Sequence, residues 1–366
     1  MKIAQVKTRV EHFELVRPYT IAFRSIDSVE NCILELRTDC GKTGLGAASP
    51  EPYVTGETPE TCRQALGEEA LAWLMDRDVR ELPVLCRELQ ERLPTTPAAR
   101  AAVDIALHDL LAQLLGVPLV EMLGRAHEKL PTSITIGIKP VEETLQEAQE
   151  YIERGFRVLK VKLGHSLEED IERLHTLREK IGPAITVRVD PNQGYGANDV
   201  VQFVERTRTL NIEFLEQPMP AAEIDAMRSL PEDVRARLAA DESLLGEEDA
   251  LRLILPPRAC GIFNIKLMKC GGIHPALRIS AIAETAGIEL MWGCMDESVI
   301  SISAALHAAL ASPATRYLDL DGSFDLARDV VEGGFVLDDG YLYTADMPGL
   351  GVRPRALPQT PGAFHP

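Results

Sequence analysis

The chain has 366 residues, against roughly 150 for a typical domain, so it can build one large core and a smaller companion. A hydrophobic share of 45% and a charged share of 26% are ordinary globular values, which exclude disorder, collagen and coiled coil. The 38 basic and 56 acidic residues give a formal net charge of −18, which disfavours nucleic-acid binding and favours cationic small molecules and metal ions.

The N-terminal segment MKIAQVKTRVEHFEL alternates polar and apolar residues and lacks the uninterrupted apolar stretch of a signal peptide. No window of about 18 apolar residues occurs, so we expect no membrane span. The seven cysteines are odd in number and form no C-x-x-C pair. They predict reduced, buried thiols in a cytoplasmic protein, and neither a zinc site nor a disulfide framework is expected.

The first part of the chain predicts strands followed by helices. Residues 1–50 alternate as strands do, with a hairpin that turns at Asp39-Cys40-Gly41. Residues 57–93 are helical by pattern, and AARAAVDIALHDLLAQLLG at 98–116 predicts a helix that ends at Gly116. A block of strands followed by helices indicates an α+β domain.

From residue 131 onward, short apolar segments alternate with helical segments. The apolar segments recur at intervals of 24 to 30 residues, near positions 136, 160, 190, 216, 241, 266, 292 and 319. Eight strands with one helix after each is the pattern of a (β/α)8-type barrel. The tail to Pro366 is rich in glycine and proline, so we expect the last helix to be missing and the tail to pack on the N-terminal domain.

Charged or polar residues stand at the ends of nearly all the predicted strands from the second to the eighth, where active sites of this fold lie. Side chains alternate along a strand, so Lys160 and Lys162 share one face, as do Asp319 and Asp321. If these faces point inward, the barrel mouth holds a set of eight charged side chains. The set is Lys160, Lys162, Asp190, Glu216, Asp241, Lys266, Asp319 and Asp321.

Three acids in this set, Asp190, Glu216 and Asp241, come from successive strands. Carboxylates that converge without cations repel one another, and a divalent metal would resolve the conflict. Oxygen ligands without His or Cys indicate a hard ion, here Mg²⁺. The alternative is that each acid caps the following helix or forms an ion pair.

Two lysines, Lys162 and Lys266, flank the acids from the second and sixth predicted strands. Lysines that face each other across a metal could remove a proton from one face of a carbon and return it to the other. The alternative is that the lysine stems extend along the barrel rim with their ammonium groups in water.

Six motifs in a fixed order identify a family. They are the 98–116 helix, KVKLG (160–164), RVDPNQGY (188–195), FLEQP (214–218), AADES (239–243) and NIKLMKCGGI (264–273). On these residues the chain resembles the enolase superfamily in its muconate-lactonising subgroup, and within it the dipeptide epimerases. The resemblance implies a (β/α)7β modified TIM barrel with an α+β capping domain. The implied boundaries are 1–124 for the capping domain, 125–322 for the barrel and 323–366 for a segment returning to the capping domain.

The resemblance also implies roles for individual residues. The three acids would bind Mg²⁺, Lys162 and Lys266 would be the two acid/base catalysts, and Lys160 would tune Lys162 and help to stabilise an enolate. The implied activity is epimerisation of an L,L-dipeptide at the α-carbon of its C-terminal residue.

Asp319 and Asp321 form a D-x-D pattern at the end of the eighth strand. In dipeptide epimerases this pattern binds the free α-ammonium group of the substrate, so the resemblance assigns both residues to substrate binding. The alternatives are the other enolate-forming activities of the subgroup, cycloisomerase and o-succinylbenzoate synthase, or a non-catalytic relative with the same fold.

Two acids in loops, Glu51 and Asp296, would place negative charge near the substrate side chains, which predicts a preference for Lys or Arg dipeptides. Arg24 stands about where L-Ala-D/L-Glu epimerases use an arginine for the acidic side chain, so an acidic substrate stays open. Family members commonly assemble, so a homo-oligomer is a further expectation. We expect no nucleic-acid partner and no membrane partner.

Overall fold

An antiparallel sheet of three strands begins the fold, in a computed structural model that describes residues 1–21, 24–164 and 166–355. Its strands are β1 (Ile3–Ile21), β2 (Arg24–Thr38) and β3 (Thr43–Ala48). The predicted hairpin is present between β2 and β3. Its turn contains Gly41 at a φ of +83°, a left-handed conformation that glycine adopts freely.

Five α-helices follow this sheet. They are α1 (Pro52–Thr55), α2 (Pro59–Ala65), α3 (Leu82–Arg92), α4 (Pro97–Leu115) and α5 (Leu119–Leu123). The predicted helical stretch at 57–93 is interrupted, because two 3₁₀ turns lie between α2 and α3 and Asp76 takes a φ of +63° there. The predicted helix at 98–116 is confirmed as α4, which Gly116 ends at a φ of +73°.

A short strand, β4 (Leu130–Pro131), leads into a sheet of eight parallel strands. These are β5 (Ile134–Ile136), β6 (Val158–Lys162), β7 (Thr186–Asp190), β8 (Ile212–Glu216), β9 (Leu238–Ala240), β10 (Ile262–Ile265), β11 (Glu289–Trp292) and β12 (Thr315–Leu318). The intervening helices are α6 (Val141–Glu153), α7 (Leu167–Ile181), α8 (Ala197–Arg206), α9 (Ile224–Ser229), α10 (Glu232–Arg235), α11 (Glu247–Ile254), α12 (Leu267–Cys270), α13 (Ile273–Ala286) and α14 (Val299–Ala311). All eight predicted strands are therefore confirmed.

The eight-stranded sheet closes on itself. A parallel bridge joins Thr132 to Leu318, and the Ser133 amide donates to the Leu318 carbonyl at 3.0 Å, which places β5 beside β12. Each of the first seven barrel strands is followed by at least one helix. No helix follows β12 in the residues described up to Arg355. The predicted (β/α)7β barrel with its α+β capping domain is confirmed.

The segment after β12 forms four short strands and contacts the N-terminal sheet. These strands are β13 (Val331–Gly333), β14 (Phe335–Asp338), β15 (Tyr341–Thr344) and β16 (Val352–Pro354). The amide of Val16 donates to the Asp325 carbonyl at 2.7 Å, and the amide of Ala327 donates to the Glu14 carbonyl at 2.8 Å. The chain thus returns from the barrel to β1.

Helix α4 lies between the N-terminal sheet and the barrel. A Cβ on Gly46 of β3 would lie 1.8 Å from the Ala102 carbonyl oxygen, so only glycine lets the strand approach α4 this closely. On the barrel side, Asp104 Oδ1 accepts the Ile273 amide at 2.6 Å and thereby caps the first turn of α13. The two domains are therefore joined at the start of α13.

The donor atoms of Cys86, Asp104 and His108 lie within 4.8 Å of one another, the spacing of a metal-binding group. The Asp104 carboxylate is already engaged by the amides of α13 and lies 3.2 Å from His108 Nδ1. Burial opposes the charged imidazole, but the Asp104 carboxylate outweighs it and raises the pKa of His108. We therefore assign this trio to the junction between the domains.

The apolar side chains form one large core that runs through the capping domain and the barrel. A smaller cluster lies on β8 to β11 and consists of Phe214, Ala239, Ile262 and Met291. Of the helices in the described part of the chain, none combines the length and the apolar character that crossing a bilayer requires.

Candidate active site

Three acidic side chains converge at the carboxyl ends of neighbouring barrel strands. Asp190 ends β7, Glu216 ends β8, and Asp241 directly follows β9. All three are buried. Because these strands are adjacent in the sheet, the three carboxylates occupy neighbouring positions at one side of the barrel mouth, with Nζ of Lys160 between those of Asp190 and Glu216.

Lys160 connects two of these acids to the last barrel strand. Its Nζ lies 2.7 Å from Glu216 Oε2, 3.4 Å from Asp190 Oδ2 and 2.8 Å from Asp319 Oδ2. Burial opposes the charged form, but the carboxylates, Asp319 first among them, outweigh it and raise the pKa of Lys160 well above its usual value. Lys160 is therefore a fixed positive charge and a poor proton carrier.

The other two lysines stand on opposite sides of the acids. Lys162 ends β6 and Lys266 directly follows β10, and these strands lie four apart in the eight-stranded barrel with β7, β8 and β9 between them. Nζ of Lys162 lies 2.5 Å from Asp190 Oδ2, and Nζ of Lys266 lies 2.8 Å from Asp241 Oδ2. The two amines thus reach the acid cluster from opposite directions.

The electrostatics of the acids suits a divalent cation. Burial disfavours the ionised forms of Asp190 and Asp241, but the neighbouring lysines outweigh it and lower the pKa of both. Burial, only partly offset by Lys160, raises the pKa of Glu216 to about 8. Glu216 Oε2 has no hydrogen-bond partner among the described residues, although Nζ of Lys160 is 2.7 Å away. An oxygen-only donor set with an incompletely satisfied, buried carboxylate fits Mg²⁺.

Two side chains that the sequence analysis did not single out hold Asp241 in place. Nζ of Lys269 donates to the Asp241 carboxylate and, at 2.7 Å, to its backbone oxygen. Gln217 Oε1 accepts the Asp241 amide at 2.9 Å. Lys269 stands three residues after Lys266 in the short helix α12, and this K-x-x-K spacing is the one signal in the sequence that could have revealed it.

Asn264 positions Glu216. Its Nδ2 donates to Glu216 Oε1 at 3.0 Å, while its Oδ1 has no partner among the residues described. A Cβ on Gly293 would lie 2.6 Å from Asn264 Oδ1 and 3.1 Å from Lys266 Cε. Glycine at position 293 therefore leaves the room that both side chains occupy.

The two aspartates of the D-x-D pattern have different partners. Asp319 is buried and forms an ion pair with Lys160. Its Oδ1 also accepts a hydrogen bond from the Ser133 hydroxyl at 2.6 Å. Asp321 Oδ2 accepts the Thr135 amide at 2.7 Å, and it forms no ion pair with a lysine or arginine in the described part of the chain. Burial, together with the charge of Asp319, raises the pKa of Asp321 to about 7. Asp321 is thus a carboxylate that could receive a cation from outside the chain.

The loops predicted to face the substrate side chains meet each other. Ser49 Oγ donates to the Asp296 carbonyl at 2.9 Å, and Glu51 follows Ser49 by two residues. Glu51 directly precedes α1 and caps it, because its side chain accepts a hydrogen bond from the Tyr53 amide at 3.3 Å. This hydrogen bond between Ser49 and Asp296 brings the two loops, and with them Glu51 and Asp296, into the same region. Both acids are half-buried there. The side chain of Arg24 lies outside the described residues.

Two protein-family models match most of the chain. Residues 3–124 match the N-terminal domain of the mandelate racemase / muconate lactonizing enzyme family, and residues 143–357 match the enolase C-terminal domain-like family. The chain belongs to the enolase superfamily. The predicted superfamily and subgroup are confirmed.

Relatives within the enolase superfamily are epimerases. The L-Lys-D/L-Arg epimerase of Methylococcus capsulatus is 65% identical over 352 residues, which cover 96% of this chain and 99% of the relative. A crystal structure of the Methylococcus capsulatus dipeptide epimerase with Mg and the dipeptide L-Arg-D-Lys has a TM-score of 0.95 at 65% identity, with 96% and 99% of the two chains covered. The L-Ala-D/L-Glu epimerase of Clostridium acetobutylicum is 36% identical, over 93% of this chain and 95% of the relative. The predicted enzyme class, an isomerase, is confirmed.

Proposed function

We propose that this enolase-superfamily enzyme is a Mg²⁺-dependent dipeptide epimerase that inverts the α-carbon of the C-terminal residue of an L,L-dipeptide. The observation that carries the proposal is the position of Lys162 and Lys266 on opposite sides of the three acids. An amine on each face of a planar carbon can accept a proton on one face and donate one on the other, which inverts the configuration.

Asp190, Glu216 and Asp241 would hold the Mg²⁺ ion. When bound, the ion supplies positive charge beside the substrate carboxylate as the α-proton leaves. Each acid contacts a lysine ammonium group in this structure, so the cation and the ammonium groups compete for the same oxygens. The positive charge of Lys160 would further stabilise the enolate, because its burial among carboxylates keeps it protonated.

Asp319 and Asp321 would bind the α-ammonium group of the dipeptide. The pairing of Asp319 with Lys160 leaves Asp321 as the carboxylate with capacity for a new cation. An ammonium group has three N–H donors, which suits two carboxylates that stand two residues apart in the chain. This contact would distinguish a dipeptide from the substrates of cycloisomerases and o-succinylbenzoate synthases, which share the acids and the lysines.

We further propose a preference for dipeptides with Lys or Arg side chains. Support comes from Glu51 and Asp296 on two loops that are hydrogen-bonded to each other, and from the 65% identical L-Lys-D/L-Arg epimerase. The net charge of −18 also favours cationic substrates. The alternative, an L-Ala-D/L-Glu epimerase, has a 36% identical relative and Arg24 in its favour.

Incubation of the enzyme with Mg²⁺ and a library of L,L-dipeptides in D₂O tests these proposals, with mass spectrometry detecting deuterium at the α-carbon. We expect exchange with Lys- and Arg-containing dipeptides, its loss after chelation of the metal, and its recovery when Mg²⁺ is restored. Asp296→Asn should raise KM for these dipeptides and leave KM for L-Ala-L-Ala unchanged. Exchange confined to acidic second residues would favour the L-Ala-D/L-Glu alternative. Absence of exchange with every dipeptide would contradict the epimerase proposal.

Three further expectations stand as proposals. The domain boundary at 322/323 is supported by the return of the chain after β12 to β1, and the boundary at 124/125 by the N-terminal family match that ends at residue 124. A cytoplasmic location is supported by the cysteines, all seven of which are free and five of which are buried. The homo-oligomer stays a prediction, and light scattering of the enzyme in solution would test it.

A further inference from the structure

The two proposed acid/base lysines are anchored differently. The Lys162 side chain is 31% exposed and that of Lys266 is 10% exposed. The carbonyl of Lys266 accepts the amides of Lys269 and Cys270, so α12 fixes its backbone locally. Lys162 ends a strand that continues into a loop, so its position depends on what holds that strand end.

A buried network behind Lys162, which we name the brace, consists of Asp170, Arg173 and Tyr195. Asp170 Oδ2 accepts the Gly164 amide and the Tyr195 hydroxyl, each at 2.8 Å. Asp170 Oδ1 accepts Nη2 of Arg173 at 2.9 Å. Nη1 of Arg173 then donates to the Lys162 carbonyl at 3.3 Å. The brace therefore holds the backbone on both sides of Leu163.

The brace also connects three successive barrel loops. Asp170 and Arg173 lie on α7 after β6, and Tyr195 lies in the loop after β7. The Tyr195 amide donates to the Pro218 carbonyl at 2.8 Å, in the loop after β8. A Cβ on Gly164 would lie 2.5 Å from the Pro191 carbonyl oxygen, which shows how closely the first two loops approach. The strand end that carries Lys162 is thus tied to the loops that follow the acid-bearing strands.

We infer that the brace is a positioning device for Lys162 and that it controls one face of the reaction selectively. The inference rests on the proposed two-lysine function. Among the described residues, the side-chain hydrogen bonds of Asp170, Arg173 and Tyr195 run to Lys162, to Gly164 and to one another, and none runs to Lys266. Loosening the brace slows proton transfer at the face of Lys162 and leaves the opposite face unchanged.

The α-proton lies on opposite faces of the α-carbon in the L,L and the L,D epimer. The rate of its exchange in D₂O, followed for each epimer separately, therefore measures proton transfer at one face at a time. Lys162→Ala and Lys266→Ala should each retain exchange with one epimer, which assigns a face to each lysine. Tyr195→Phe added to Lys266→Ala should slow the remaining exchange about tenfold, and added to Lys162→Ala it should change exchange by less than about twofold. Tyr151→Phe is the matched control, since it removes a buried hydroxyl that donates to Glu147 at 2.9 Å outside the site.

Arg173→Lys is the second variant, because lysine keeps the charge but cannot bridge Asp170 and the Lys162 carbonyl as the guanidinium does. It should reproduce the face-selective loss. Equal losses at both faces, unchanged exchange, or losses that Tyr151→Phe matches would overturn the inference and leave the two-lysine function intact. If the two alanine variants do not each retain exchange with a different epimer, the proposed function fails, and the inference fails with it.

Discussion

Replacement of Gly293 by alanine should disable the enzyme without unfolding it, because the added methyl group enters the space between Asn264 and Lys266. The new Cβ would lie 2.6 Å from Asn264 Oδ1 and 3.1 Å from Lys266 Cε. The Gly293 amide donates to the Ile265 carbonyl at 2.9 Å, which keeps the backbone from moving away. An ordinary contact of about 3.5 Å then requires Asn264 to move by roughly 0.9 Å. Glu216 follows this movement through its 3.0 Å hydrogen bond to Asn264.

A movement of this size has a large effect on rate and a modest effect on stability. Misplacing a catalytic group by about 1 Å lowers the rate roughly 10²-fold. Overpacking a buried site costs about 1–3 kcal/mol, which corresponds to a decrease in Tm of about 1–4 °C for a chain of this length. We therefore expect kcat for α-proton exchange in D₂O to fall about 10²-fold in a variant that still melts cooperatively.

Gly246→Ala is the matched control for this experiment. A Cβ at Gly246, which precedes α11, has nothing within 4 Å, and its backbone conformation suits alanine. The control should keep kcat unchanged, because Gly246 is the N-cap residue of α11 and makes no contact with the acids or the lysines of the site. Full activity in a folded Gly293→Ala variant would refute the reasoning that the space beside Gly293 fixes Glu216 and Lys266.

The remaining predictions concern the metal and pH. Mg²⁺ at 100 times its Kd should stabilise the protein by about 2.7 kcal/mol, and Glu216→Gln should abolish this gain in thermal melts with and without Mg²⁺. KM for a dipeptide should fall as pH rises through the pKa of Asp321 near 7, because the ionised carboxylate binds the α-ammonium group, and Asp321→Asn should raise KM and flatten this profile. Burial raises the pKa of Asp109 to about 6, so the folded protein retains a proton that the unfolded chain releases. The contribution of Asp109 to stability should therefore fall by about 2 kcal/mol as pH rises from roughly 4 to 6. Asp109→Asn should lose this dependence, as urea unfolding at the two pH values would report; an identical pH dependence in the variant would contradict the assignment.

The fold and the acid cluster could be predicted from the sequence because both depend on local order along the chain. Apolar strands at intervals of 24 to 30 residues predict the barrel, and a charged residue that ends such a strand or directly follows it lies at the mouth. Asp190, Glu216 and Asp241 obey this rule. The interruption at Asp76 depends on a single residue with a positive φ and leaves little trace in the apolar pattern at 57–93.

The contacts that hold the site in place could not be predicted in the same way. Asp170 and Arg173 stand three residues apart on a charged helix, a spacing that is typical of a solvent-exposed ion pair. Both are buried, because the loop after β7 covers them and supplies Tyr195. Gln217 and Asn264 likewise act through partners on other strands, and Asn264 in β10 reaches Glu216 of β8 past the intervening β9. Which strands lie near each other is not written in the local sequence.

The measurement that tests the two-lysine arrangement most directly follows the unaltered enzyme at early times in D₂O. We expect deuterium in the newly formed epimer before it appears in the remaining substrate. The lysine on the opposite face donates a solvent-derived deuteron to the product, whereas the lysine that removed the α-proton can return that same proton to the substrate. Deuterium that appears at equal rates in substrate and product from the start would mean that one base serves both faces. That result would contradict the account.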